Sequence, residues 1–224
     1  MPRKIIGSAF MTLDGVIQAP GGPNEDTTGG FANGGWVFRV WDEGVDAAIG
    51  DIFDRDYDLL LGRRTYDIFA AHWPYVEGPE APMGEAFTRA NKYVLTRGDQ
   101  PLEWANSHRM AGVEDVAKVK AGEGPDIIIQ GSGTIYPALL AAGLLDELTL
   151  MIMPITVGPG KGLFGPGTPA GMLELVRSTV TDKGTVIATY KPGGALPPVQ
   201  EGAPEQSGSA REQERQRRMA EGTW

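Results

Sequence analysis

The sequence predicts an α/β protein: a three-layer fold with a central, mostly parallel sheet, helices on both faces and an antiparallel C-terminal hairpin. Three observations carry that prediction. Short apolar, β-branched runs alternate with longer helix-period segments over residues 1–191, the order that parallel strands joined by crossover helices produce. Runs such as Ile127-Ile128-Ile129 are apolar at every position, as strands covered on both faces require. From Val176 onward, Thr and apolar residues alternate with no helical segment between them, which closes the sheet with a hairpin.

In chain order, the strand candidates are 4–11 (KIIGSAFM), 58–61 (DLLL), 92–96 (KYVLT), 126–130 (DIIIQ), 147–155 (ELTLMIMPI) and 184–190 (GTVIATY). Helical spacing of apolar residues predicts helices over 41–54, 65–71, 83–90, 113–121 and 134–142, with Thr65 a candidate cap for the second of these. Composition shifts at Pro192. Beyond it the large apolar residues are Leu196, Val199, Met219 and Trp224, too few to offset the entropy of ordering the chain. Residues 1–191 are therefore expected to form the domain and 192–224 a flexible polar tail, within which Arg211–Ala220 has the composition of a short solvated helix.

Charge and residue usage exclude several function classes. With 20 Lys and Arg against 29 Asp and Glu, the net charge is −9, which disfavours the basic face that nucleic acid or an anionic membrane needs. The absence of cysteine removes disulfides, thiolate metal sites and thiol nucleophiles, and fits a reducing compartment such as the cytoplasm. His72 and His108 are the two histidines, and neither has a partner at ligand spacing, so no metal site and no Ser-His-Asp relay is expected. The apolar stretch 138–145 is too short to span a bilayer, and residues 3–13 are too short and polar for a signal sequence.

The clearest site signal is the run from Ile127 to Tyr136, in which a buried strand passes through Gln130-Gly131-Ser132-Gly133 into a helix beginning at Thr134. Backbone N–H groups exposed at a helix start, aided by the helix dipole, hold a phosphate or pyrophosphate. A second strand ends in Gly62-Arg63-Arg64-Thr65, where two guanidiniums suit a nucleotide phosphate such as a 2′-phosphate. A third strand ends in Leu95-Thr96-Arg97, and ligands of open α/β sheets bind outside the carboxyl ends of strands. The loop 20–35, sixteen residues with six glycines, has the length of a lid or binding loop. The following helix carries Asp42 and Asp46 on one face. Gly158-Pro159-Gly160-Lys161-Gly162 lacks the spacing of a Walker phosphate loop and the Ser or Thr after its lysine.

Read together, residues 8–17 (SAFMTLDGVI), 61–66 (LGRRTY) and 130–136 (QGSGTIY) resemble the dihydrofolate reductase superfamily. More closely, the chain is similar to the bacterial group that shares the C-terminal reductase domain of the riboflavin-biosynthesis deaminase-reductase. The resemblance spans residues 1 to about 191. It implies NADPH lying across the strand ends, a small-molecule substrate and, often, a homodimer. On this resemblance Ala9 and Phe10 meet the nicotinamide carboxamide, and Val16 and Ile17 begin the mobile loop beside it. Gly62, Arg63, Arg64 and Thr65 hold the 2′-phosphate and pyrophosphate, Leu95, Thr96 and Arg97 flank the adenine ribose, and Gln130, Gly131, Ser132, Gly133 and Thr134 lie under the pyrophosphate. Trp36, Phe38 and Trp41 offer a stacking surface for a planar ring, and Asp46 or Asp42 is the candidate proton handler. The implied activity is hydride transfer from NADPH to a small heterocyclic or sugar-derived substrate, either like the reductase step of riboflavin biosynthesis on 5-amino-6-(5-phosphoribosylamino)uracil or like dihydrofolate reductase. A noncatalytic nucleotide-binding or sensor module remains the alternative, while a phosphotransferase is poorly supported without a Walker-type lysine.

Overall fold

The strands are β1 (Ile5–Thr12), β2 (Tyr57–Gly62), β3 (Lys92–Leu95), β4 (Ser107–Met110), β5 (Asp126–Gln130), β6 (Glu147–Met153), β7 (Met172–Val180) and β8 (Val186–Gly194). In the computed structural model they form one sheet in the order β4-β3-β2-β5-β1-β6-β8-β7. The structure describes residues 2–203 and 205–223; Met1, Pro204 and Trp224, which belong to the expected domain and tail, lie outside them. All pairings from β4 across to β6 are parallel, and β8 runs antiparallel to both β6 and β7. The mostly parallel sheet with an antiparallel end is thus present.

Helices cover the two faces. On one side α1 (Glu43–Phe53), α2 (Arg63–His72) and α3 (Ala81–Arg89) bury Val45, Ile52, Tyr66 and Phe87 together with Leu59, Ile128 and Met151 of the sheet. On the other, α4 (Val113–Ala121) and α5 (Tyr136–Ala141) bury Val116, Tyr136 and Leu139 against Ile5, Ala9, Ile127 and Ile129. Alternation along β1 and β5 sends consecutive side chains into opposite cores, so both strands must be apolar nearly throughout.

Several boundaries differ from the sequence reading, each for a local reason. β4 was not anticipated, because Ser-His-Arg-Met has no apolar run and its strand lies at the edge of the sheet. β6 stops at Met153, before Pro154, which has no N–H to offer a ladder. β7 starts at Met172, four residues before Val176, and β8 continues through Pro192 to Gly194. α1 begins after Trp41, with Asp42 as its N-cap. α2 begins at Arg63 with Gly62 in the cap position, so Thr65 lies inside the first turn and does not cap. The helix expected over 134–142 is a 3-10 turn, Gly133–Ile135, leading into α5, which carries a proline in its first turn.

The chain divides into a unit that ends at Gly194 and a second that begins at Ala195. The second unit contains α6 (Ala210–Ala220), capped by Ser209, whose hydroxyl accepts the Glu212 N–H at 3.2 Å. Among the described residues no helix is long and apolar enough to cross a membrane.

Candidate active site at the strand ends

The carboxyl ends of β2 and β5 meet beside the middle of β1, and two hydrogen bonds hold them there. The Gly131 N–H donates to the Ser8 carbonyl (2.8 Å), tying the turn after β5 to β1. The Gly62 N–H donates to Ser132 Oγ (3.0 Å), tying the end of β2 to the same turn. Ser132 adopts a left-handed conformation (φ 53°), an uncommon state for a residue with a side chain. Its hydroxyl accepts the Gly62 bond and its carbonyl accepts the Ile135 N–H (3.0 Å) that opens the 3-10 turn.

The glycines of this turn divide the work. Gly131 has a positive φ of 70°, and a Cβ added there would meet nothing within 4 Å. That open space beside a helix start is what a phosphate approaching the backbone needs. A Cβ on Gly133 would lie 2.5 Å from Ile17 Cδ1 and 3.3 Å from the Gly162 carbonyl oxygen. Gly133 therefore serves close packing against the loops after β1 and β6. Thr134 is exposed at the start of the turn.

Of the arginines after β2, Arg63 bonds Asp67 through Nε (2.9 Å) and the Gln100 carbonyl through Nη1 (2.9 Å). Arg109 of β4 donates to the same Gln100 oxygen at 2.6 Å, so two guanidiniums converge on the loop after Leu95 and Thr96. Arg97 lies exposed in that loop, and the exposed Arg64 stands 3.9 Å from Asp26. Arg109 carries no signal in the sequence, being an isolated arginine in a strand without an apolar pattern.

The long loop is not a loose lid. Gln18 is buried and donates to the Asp26 and Thr28 carbonyls (3.0 and 2.9 Å) while its Oε1 accepts the Lys161 N–H (3.1 Å). Lys161 Nζ pairs with Asp26 at 2.5 Å, and Val16 forms a bridge with Gly162. Burial alone raises the Asp26 carboxyl, but hydrogen bonds from Lys161 and Thr28 outweigh it and hold the group below its ordinary value. The loop is thereby clasped to the segment after β6. Trp36, expected at the ligand surface, is fully buried with its Nε1 donating to the Gln18 carbonyl (2.8 Å); it is core, and its indole is not available for stacking.

The aromatic surface is made instead by Phe10, Trp41 and Phe38, whose rings follow one another at 5.6 and 5.4 Å between centroids, Phe38 being outermost and exposed. Trp41 Nε1 donates to Asp46 Oδ1 (2.8 Å), placing a carboxylate at the edge of that surface. Asp42 is occupied elsewhere. Its oxygens accept the Val45 N–H (3.1 Å) and the Lys183 N–H (2.9 Å), and with the Thr181 hydroxyl as the largest cause its carboxyl is held below the ordinary value. A carboxylate so stabilised caps α1 and is a poor proton donor. Ala9 is fully buried in β1, Val16 is buried and Ile17 half-buried at the loop start.

On the face that carries Phe10, Ser8 lies in register with Gln130 of β5 and Thr149 of β6. Ser8 Oγ and Gln130 Oε1 are buried and have no hydrogen-bond partner among the described residues. A polar residue inside an otherwise apolar strand was the available sequence signal for Ser8. Among the described residues no cluster of His, Cys, Asp and Glu is placed to hold a metal ion.

The chain is similar to known proteins in sequence and in fold. The chain is 26% identical over 194 residues to the "Uncharacterized protein YyaP" of Bacillus subtilis (strain 168), covering 84% of this chain and 94% of that protein. Its fold matches the crystal structure of a putative riboflavin biosynthesis protein from Shewanella sp. PV-4 with a TM-score of 0.62 at 21% identity, over 86% of this chain and 99% of the other. Dihydrofolate reductase from Enterococcus faecalis, solved with NADP(H) and a second ligand, matches with a TM-score of 0.53 at 18% identity, over 85% and 96% of the two chains. At such identities the two structures establish the dihydrofolate-reductase-like fold. Residues 3–187 match the family described as the RibD C-terminal domain, and the chain belongs to that family.

Proposed function

We propose that the protein is an NADPH-dependent reductase of a small, planar heterocyclic or sugar-derived substrate, acting in the cytoplasm. The observation that carries this reading is the open backbone at Gly131, joined through Ser132 to the Gly62 turn and its arginines. A dinucleotide fits that donor set: the Gly131–Thr134 turn for the pyrophosphate, Arg64 and the Arg63–Arg109 pair for a 2′-phosphate, and the β1 backbone at Ala9 and Phe10 for the nicotinamide amide. When bound, the reduced nicotinamide supplies the hydride.

The chain's own residues would then orient the acceptor. Phe38 and Trp41 hold a planar ring by stacking, and Phe10 closes its inner end. Asp46, fixed by the Trp41 indole, is the proton handler at the rim, either directly or through water. Replacing Asp46 with Asn is expected to lower turnover by about 10²-fold if it fills that role. Unchanged turnover would remove Asp46 from the chemistry.

The cofactor is tested first, by thermal shift with NADPH and NADH in parallel. At about 100 times the dissociation constant a ligand stabilises by about 2.7 kcal/mol, and NADPH is expected to do so at lower concentration than NADH. Arg64→Ala should weaken NADPH more than NADH, because only the former has the extra phosphate. No stabilisation by either would overturn the reductase reading. A second copy of the chain is the expected partner: β7 is an edge strand exposing Leu175, Val176 and Val180, and sedimentation of the full chain tests for a dimer.

A further inference from the structure

Beneath α1, polar side chains stand side by side across neighbouring strands: Gln130 on β5, Ser8 on β1, Thr149 on β6 and Thr189 on β8, each in register with the next. The last two satisfy each other, Oγ1 to Oγ1 at 2.9 Å. The first two do not. Ser8 is wholly enclosed, yet its hydroxyl bonds to nothing among the described residues, and Gln130 Oε1 is equally orphaned. Buried polar atoms are nearly always paired, since leaving one without water or a partner costs free energy with no return. The described residues of the fold offer neither atom a partner, so the fold gives no hydrogen-bonding reason for these side chains.

Their position supplies one. Two residues along β1 on the same face is Phe10, the inner ring of the Phe10–Trp41–Phe38 surface. A planar ring lying on that surface would turn one edge toward Ser8 and Gln130. We infer that Ser8 and Gln130 are specificity-determining residues, and that they read a neutral edge carrying a hydrogen-bond donor beside an acceptor, as a ring amide does. This rests on the reductase reading for the location of the substrate. Hydroxyl and carboxamide each donate and accept and neither is charged, so the pair suits a carbonyl next to an N–H. A carboxylate or ammonium in the same place would lose its hydration to neutral partners.

Two readouts on the full-length protein test the inference, and neither needs the cofactor, so failure of NADPH binding leaves both intact. The first is the melting temperature of Ser8→Ala and Gln130→Met without ligand. Relief of an orphaned group predicts a value unchanged or raised by about 2–4 °C. A fall of several degrees in both variants would show that the groups are satisfied within the fold, for example by buried water, and would overturn the inference. The second is saturation-transfer NMR with 2-pyridone, the simplest ring amide, against N-methyl-2-pyridone and benzoate. The wild type should bind 2-pyridone at least tenfold better than either control, and each variant should lose that preference. Equal binding of the three probes, no binding of 2-pyridone at all, or variants that bind it as the wild type does would each sink the assignment.

Discussion

Replacing Lys92 with Met isolates a buried charge whose contribution to stability has a definite pH profile. Lys92 is fully enclosed at the start of β3, where its ammonium caps the end of α3 by donating to the Phe87 and Thr88 carbonyls (3.0 and 2.8 Å) and lies 4.4 Å from the centre of the Trp104 ring. Burial pushes its pKa down from 10.5 to about 8, with Asp58 opposing the shift. Below pH 8 the lysine is protonated in both states, and the folded protein bears the whole cost of the enclosed charge. Between about 8 and 10.5 the unfolded chain binds a proton that the folded chain does not, so stability rises with pH across that window. The gap corresponds to about 3 kcal/mol in total. Tyr57, raised to about 12 by burial, titrates in both proteins and cancels from the comparison. Urea unfolding followed by tryptophan fluorescence, at pH 7.5, 9 and 10, should show the wild type gaining about 2–3 kcal/mol relative to Lys92→Met. Parallel curves for the two proteins would refute the reasoning, because they would mean that enclosure leaves the lysine's proton affinity unchanged.

Other substitutions probe separate parts of the structure. Gly7→Ala would place a Cβ 2.6 Å from Tyr136 Cε1 and 2.9 Å from Leu148 Cδ1, and overpacking of that kind is expected to cost about 1–3 kcal/mol in chemical denaturation. Arg3→Met leaves Asp58 enclosed without its ion-pair partner, a loss of about 3–5 kcal/mol; because the pair lies at the amino ends of the strands, NADPH affinity should be unaltered. Asp26→Asn should unclasp the loop from Lys161, seen as hydrogen exchange over residues 18–35 at least tenfold faster while β5 and β6 stay protected. Since the Asp26 carboxyl is held below its ordinary 3.8, the stabilisation it provides is present above about pH 4 and is lost as pH falls through the lowered native value. The exchange difference between Asp26→Asn and wild type should therefore narrow in acid.

Most of the architecture could be read from local pattern, because burial on both faces writes itself into a strand as an unbroken apolar run. The limits of β5 and α4 match the sequence reading residue for residue, since each is bounded by turn formers. β4 escaped because an edge strand needs little burial, and Ser107-His108-Arg109-Met110 carries no period. The Gly131 cradle and the Gly62 turn were legible as glycines at strand ends. The relations between distant residues were not: the clasp of Gln18 and Asp26 with Lys161 spans some 140 residues of chain, and nothing in either segment alone names the other. Trp36 shows the same limit from the opposite side, since an indole directly after a glycine-rich loop looks like a ligand platform until its Nε1 is found inside the core.

The bond from Gly62 to Ser132 Oγ also bears on how tightly any ligand at these strand ends can be held. It ties the turn after β5 to the end of β2 before any ligand arrives, and a site whose parts are already held together loses less conformational entropy on association. Affinity there would change mainly through the dissociation rate when individual contacts are removed. Ser132→Gly would keep the left-handed backbone at lower strain but remove the side-chain hydrogen bond between the two turns.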